Sequence, residues 1–289
     1  MTTEAKLAAI LAAVQVDPGN RGLAAVPGDN LFTATAEDYA AACRSIAGCA
    51  GFRVSIVTGF CIPSVSPPTF ETDGPLGAYF LERAFEALSG FIEIIADEPV
   101  MRALTAARKL IGHRERTLLD VPQTHKIMIE RPGRAADGKR YSMRGIEVDA
   151  LHNPRHTHYA ETPTPGVISI GIGDGGNEVG MGKIPHDTVV ANIPNGDLVH
   201  CRVPTDRLIV AGVSNWGAYA LAAGIFVLRG VRPPVGLFDP DRERTILDIM
   251  VREGPLVDGV TGKRTATVDG LTWGQYIEPL ERIAELLAT

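Results

Sequence analysis

The sequence predicts an α/β protein with a largely parallel central sheet flanked by helices, layered α/β/α. Three observations carry that reading. Short β-branched apolar runs alternate with longer segments of helical periodicity along the 289 residues. The strands are separated by helices of roughly ten residues or more, as crossovers between parallel strands require. Polar motifs follow nearly every predicted strand, at the carboxyl edge where ligands of parallel sheets sit.

Taken in order, residues 3–15 are alanine-rich with helical spacing, and Asp17-Pro18-Gly19-Asn20-Arg21-Gly22 is a turn. Residues 37–48 read as a helix opened by Thr35, and 53–58 as a strand. A helix over 77–89 precedes a strand over 91–95, and a helix over 100–112 precedes a strand over 126–130. The proline- and histidine-rich stretch 152–165 reads as a loop. It marks the best place for a subdomain boundary in what is otherwise a single domain over 1–289. Its histidines, His152, His156 and His158, lack the strand or helix spacing of a metal site and read as exposed loop residues. Strands follow over 167–172 and 208–211, and helices over 216–228, 245–252 and 275–288.

Composition excludes several classes of function. The chain is 45% hydrophobic and 21% charged, with a net charge of −6 and its acids and bases intermixed. No basic block points to nucleic acid. The apolar N-terminus carries Glu4 and Lys6 without a small-residue cleavage site, so it reads as a helix and not a leader. The uncharged apolar runs are too short or too glycine-broken to span a bilayer. Cys43, Cys49, Cys61 and Cys201 form no C-x-x-C pair and read as reduced, buried thiols of a cytoplasmic protein. A homodimer is the base-rate expectation for assembly.

The most informative stretch is 167–183. A buried strand runs into a loop with Gly171, Gly173, Gly175, Gly176, Gly180 and Gly182 around Asp174, Asn177, Glu178 and Lys183. G-x-G-x-x-G matches literally from Gly171 to Gly176, but a carboxylate inside such a turn repels a pyrophosphate. Asp174 and Glu178 point instead to a cation or to proton transfer. Other strand ends carry Glu71 and Asp73, Asp97-Glu98, Glu130-Arg131 with Arg134, and Ser214-Asn215. Each acid alone suits a helix N-cap equally well; Asp73 can cap the helix that follows it. Together at one sheet edge they repel unless a divalent cation or shared protons offset the charge. Carboxylate ligands suit Mg²⁺, Mn²⁺ or Ca²⁺. Arg21, Arg131, Arg134 and Lys183 either clamp a substrate carboxylate or phosphate or pair with these acids.

These motifs have a familiar order. Asp17 to Gly22, Thr58-Gly59-Phe60, Glu71-Thr72-Asp73-Gly74-Pro75, Glu130-Arg131 with Gly133-Arg134, the block from Gly171 to Gly182 and Gly212 to Gly217 resemble the D-glutamate cyclase-like family, from about residue 17 to 228. The resemblance implies conversion of D-glutamate to 5-oxo-D-proline and water. For that chemistry Glu71, Asp73 and Asp174 are the expected ligands of a divalent metal, Mn²⁺ or Mg²⁺, with Glu178 or Glu130 moving protons beside Asp174. Arg21, Arg131 or Asn215 is expected to hold the α-carboxylate, and Lys183 is a further anion-binding candidate. A small acidic amino acid is thus the expected partner. A metal-dependent hydrolase such as a phosphatase, or a non-catalytic amino-acid or cation-binding module, are the alternatives the residues leave open.

Overall fold

The computed structural model describes residues 1–110 and 122–289. Helices α1 (Thr3–Val14), α2 (Leu31–Ala34) and α3 (Asp38–Ala47) lead into β1 (Arg53–Thr58). A short antiparallel pair, β2 (Cys61–Ile62) and β3 (Thr69–Phe70), precedes α4 (Pro75–Ala87), β4 (Phe91–Ala96) and α5 (Glu98–Leu110). Then come β5 (His125–Ile129), α6 (Pro154–Glu161), β6 (Ile168–Gly173), α7 (His186–Asn192), α8 (Gly196–Val199) and β7 (Arg207–Val210). The chain closes with α9 (Ser214–Arg229), α10 (Pro240–Arg252) and α11 (Trp273–Ala288).

The five-stranded sheet is wholly parallel, in the order β4-β1-β5-β6-β7. Winding starts outwards at β1 and reverses between β1 and β5, which makes that gap the switch point where open α/β sheets gather ligands. Period-two alternation explains the layers. Ile56, Ile127, Ile170, Ile172 and Ile209 face the main core, shared with α1, α3, α4, α9 and α11. Val57, Met128, Leu208 and Val210 face the other side, covered by α2, α6, α7 and the loops around them.

Two glycine patterns are dictated by this packing. Strand β6 reads Ile-Gly-Ile-Gly because the following loop folds back onto its second face. A Cβ on Gly171 would lie 2.7 Å from the Val179 carbonyl oxygen, and one on Gly173 would lie 2.8 Å from Met181 Cε. Helix α9 is buried over Ser214–Phe226, so its small residues set how closely neighbours approach. A Cβ on Gly224 would meet Cys43 Sγ at 2.4 Å and Tyr39 Oη at 2.6 Å. Any larger residue there forces α3 away, an overpacking cost of about 1–3 kcal/mol.

The expected strands and helices are present, and α2, β2, β3, α7 and α8 are additional to them; four of the other differences have a physical reason. Thr35 does not open α3; it ends α2, and its hydroxyl donates back to the carbonyl of Leu31, the first residue of that helix. Helix α10 starts at Pro240 and not near residue 245, because Asp239 accepts the N–H groups of Asp241 and Arg242. The helix expected over 100–112 begins earlier, at Glu98, and its last two expected residues lie outside the described residues. The stretch read as a loop over 152–165 contains α6. Pro154 is a helix starter at N1, Asn153 caps it, and Lys126 Nζ donates to the Tyr159 and Thr162 carbonyls at its end. His152 is buried among Phe60 and Phe70, and its Nε2 accepts the Cys61 N–H; His156 is half-buried and His158 exposed. Cys43, Cys61 and Cys201 are buried free thiols, and Cys49 is half-buried. No helix among the described residues is long and apolar enough to cross a membrane.

Candidate active site

The cavity beyond the carboxyl ends of β1, β5 and β6 begins with two helix starts that lack capping side chains of their own. Helix α9 has Val213 at its N-cap and α4 has Gly74. Each is satisfied by a residue of the other. Asp73 accepts the N–H groups of Ser214 and Asn215, both at 2.8 Å. Asn215 Oδ1 in turn accepts those of Gly74 (2.9 Å) and Gly77 (2.7 Å). Asp73 therefore caps α9, not the helix that follows it in sequence. Both helix starts lie at the cavity and favour negative charge there. The geometry needs glycine at 74: its φ is +90°, and a Cβ would lie 2.7 Å from Glu130 Cβ.

Other acids arrive on separate loops. Glu130 follows β5 in the left-handed region (φ +46°) and accepts the Ser214 hydroxyl at 2.6 Å. Asp174 follows β6. Arg21 reaches in from the N-terminal loop, which is shaped by Asp17 accepting the N–H groups of Arg21, Gly22 and Leu23. Its guanidinium pairs with Asp174 and, at 2.9 Å, with Asp269. Asp269 comes from a C-terminal segment that runs beside β3 through Thr72 N–H to Val257 and Val257 N–H to Phe70. Asp258 holds that segment by accepting N–H groups from Val260, Thr261 and Gly270. Gly259 leaves room for Glu71, since a Cβ there would lie 1.7 Å from Glu71 Oε2.

The result is a cavity of about 130 Å³ into which Glu71, Asp73, Glu130, Asp174 and Asp269 project. That is small beside the ~300 Å³ or more typical of drug-sized sites, so it suits a compact ligand. Against these five carboxylates the lining offers two cations, Arg21 and Arg144. Burial is the largest cause of the resulting shifts. It pushes Glu71, Asp73 and Glu130 well above the carboxylate range, and mutual repulsion adds to it. Burial likewise raises Asp174 to about 6 and Asp269 to about 7, although the Arg21 guanidinium pulls both down. Burial works against the charge of Arg21, yet Asp174, Asp269, Asp73 and Glu130 hold its pKa above the ordinary value. Carboxyls shifted towards neutrality can both give and take protons.

The donor set also fits a hard divalent cation. Asp73, Asp174 and Asp269 each offer an oxygen within 4.8 Å of the others, all three are buried, and the cavity's acids outnumber its bases. Glu130, Asp174 and Glu178 form a second such group. Glu178, however, accepts the N–H groups of Asp174, Gly175 and Gly176 at 2.7–2.9 Å, so it holds the glycine-rich turn in shape.

The residues singled out from the sequence separate accordingly. Glu71, Asp73, Glu130, Asp174 and Arg21 are brought together around the cavity. Asn215 lies beneath it with its amide engaged by Gly74, Gly77 and Thr72. Arg131 is not brought there: it is buried against Asp97, Thr157 and the Gly59 carbonyl. Lys183 reaches Asp38 and the Asp206 carbonyl, and Arg134 pairs with Glu161. Asp269, Gly259 and Arg144 were missed. Asp258-Gly259 and Asp269-Gly270 repeat the Asp-Gly pairing of Asp73-Gly74 and Asp174-Gly175, a signal that could have found that loop.

Residues 10–284 match the family model described as "D-glutamate cyclase-like, C-terminal". The chain is 33% identical, over 94% of its length, to "D-glutamate cyclase, mitochondrial" of Homo sapiens. That match spans 50% of the human protein, so the chain covers about half the length of this relative.

Proposed function

The chain belongs to the D-glutamate cyclase-like family, and from that premise we propose that its cavity closes D-glutamate into 5-oxo-D-proline with release of water. The reaction forms a bond between the α-nitrogen and the γ-carboxyl carbon and breaks one C–O bond of that carboxyl. Two protons leave the ammonium nitrogen, and both end on the departing oxygen, so charge is conserved. What the protein must supply is a base for the nitrogen, an acid for the oxygen and a means of making a carboxylate electrophilic.

One observation carries this reading: five buried carboxylates face one small cavity, their pKa values raised, with Arg21 clamped among them. Asp73, Asp174 and Asp269 are the residues that would hold a divalent cation, Mn²⁺ or Mg²⁺ by the hardness of the donors. Such an ion, when bound, supplies Lewis-acid polarisation of the γ-carboxyl and tolerance of the crowded charge. Glu130 and Glu71 remain for protons. Glu130 is oriented by the Ser214 hydroxyl, and Glu71 is held above Gly259. Their raised pKa values suit removal of a proton from the ammonium and its delivery to the leaving oxygen. The compact cavity keeps the substrate curled, which brings nitrogen and carbon together before reaction.

The test is mass detection of 5-oxoproline from D- and L-glutamate, with Mn²⁺ or Mg²⁺ and with chelator, beside a generic phosphate ester. Product from D-glutamate, lost on chelation, is the expected result. Phosphate release without lactam would overturn the proposal in favour of a hydrolase.

A further inference from the structure

Resting on the lactam-forming reading of the cavity, we propose that Arg144 receives the α-carboxylate of the substrate and so selects α-amino diacids over amino acids that lack that group. Arg144 stands at the tip of an arm built from residues 140–148. Ser142 N–H donates to the Ile146 carbonyl (2.8 Å) and Val148 N–H to the Arg140 carbonyl (2.9 Å), and Tyr141 bridges Glu147. Gly145 turns the tip with φ +74°. The base of the arm is fixed: Arg140 donates to both oxygens of Glu161, at 2.8 and 2.6 Å, and also pairs with Asp149. A rigid base and a short turn place the guanidinium over the cavity mouth, where Arg144 Nη2 donates to the Val260 carbonyl on the opposite rim at 3.2 Å.

The two cations of the cavity are unlike. Arg21 is clamped between Asp174 and Asp269, so its charge is already matched. Arg144 lines the cavity but stays exposed, and among the described residues no carboxylate pairs with it. The substrate has two carboxylates. The γ-carboxyl reacts and must reach the acidic floor, so the α-carboxylate has to be held elsewhere. A planar guanidinium fork at the rim offers it paired hydrogen bonds. Between rim and floor, Phe60, Ile62 and Ile146 supply apolar wall for the methylenes.

The experiment is calorimetric titration of D-glutamate and of 4-aminobutyrate, which is glutamate without the α-carboxylate, into wild type, Arg144→Gln and Arg144→Lys, with turnover measured alongside. We expect Arg144→Gln to weaken D-glutamate binding roughly 10- to 100-fold, the value of charge-assisted hydrogen bonds. Arg144→Lys should recover part of that loss, and KM should rise while kcat changes little. Binding of 4-aminobutyrate should be weak and equal in all three proteins. Unchanged D-glutamate affinity in Arg144→Gln overturns the assignment, as does an equal loss on both ligands or no D-glutamate binding by wild type. D-glutamate binding that depends on Arg144 without any lactam would uphold the rim site and overturn the reaction alone.

Discussion

Helix α4 joins two regions of buried charge that are balanced in opposite ways. In its C-terminal half, Glu82 receives Arg108 through two hydrogen bonds of 2.7 and 3.0 Å, and Arg83 reaches Glu243 at 2.6 Å. Tyr219 closes that network by donating to Glu243 at 2.8 Å and meeting Tyr276 at 2.6 Å. Among the described residues cation and anion are matched there, with aromatic rings packed beside them. At the N-terminal end, five carboxylates face two guanidinium groups across a cavity. Matched charge can be buried as architecture; an excess of one sign beside open space needs a ligand or protons to offset it.

Substitutions can break that comparison. The largest effect is expected from Asp174→Asn, which should lower lactam formation by roughly 10²-fold or more while leaving stability within about 1 kcal/mol. Steady-state turnover and urea unfolding on the same preparation check both halves; wild-type turnover would end the assignment of Asp174. Arg83→Met should do the reverse. It strands Glu243 in the core and should cost about 3–5 kcal/mol, and pairing it with Glu243→Met should return much of the loss. A single variant as stable as wild type would show that the matched network contributes nothing.

A third way to bury a titratable group is to keep it neutral, and His152 shows it. Burial first, then the Arg131 charge, lowers its pKa from an ordinary 6.5 to about 4, and its Nε2 is needed as acceptor for the Cys61 N–H. The unfolded chain takes up this proton before the folded one does. The contribution is therefore complete above about pH 6.5 and is lost as pH falls towards 4, at most roughly 3 kcal/mol. Urea unfolding at pH 7.5 and 5 should show a steeper acid loss in wild type than in His152→Phe, and equal slopes would contradict the account. The smallest effect belongs to Lys183→Ala. Its pairing with Asp38 lies near the surface, so less than about 1 kcal/mol should be lost, with turnover unchanged. A large rise in KM would place Lys183 in binding after all.

Much of the layered fold was legible because the short apolar runs of β1, β5 and β7, buried on both faces, are a local property of the chain. Helix α6 was not, since proline at a first helical turn and proline in a loop look alike until the flanking cap is known. The cavity was legible at the acids that follow β5 and β6, Glu130 and Asp174, because sheet topology carries those positions to one edge, whereas Asp97 after the edge strand β4 pairs with Arg131 instead. Asp269 was hidden by its place after α10, on a segment that reaches the cavity only through its pairing beside β3. Arg131 misled for a related reason. It adjoins Glu130, but the left-handed backbone at Glu130 parts the two side chains, sending one to the cavity and the other to Asp97.

The exchange of caps between Asp73 and Asn215 has a bearing beyond the helices themselves. The starts of α4 and α9 each take their capping bonds from a residue borne by the other, so each stabilises the other. Asp73 is thus at once a clasp of the scaffold and part of the cavity wall, so a change there bears on both.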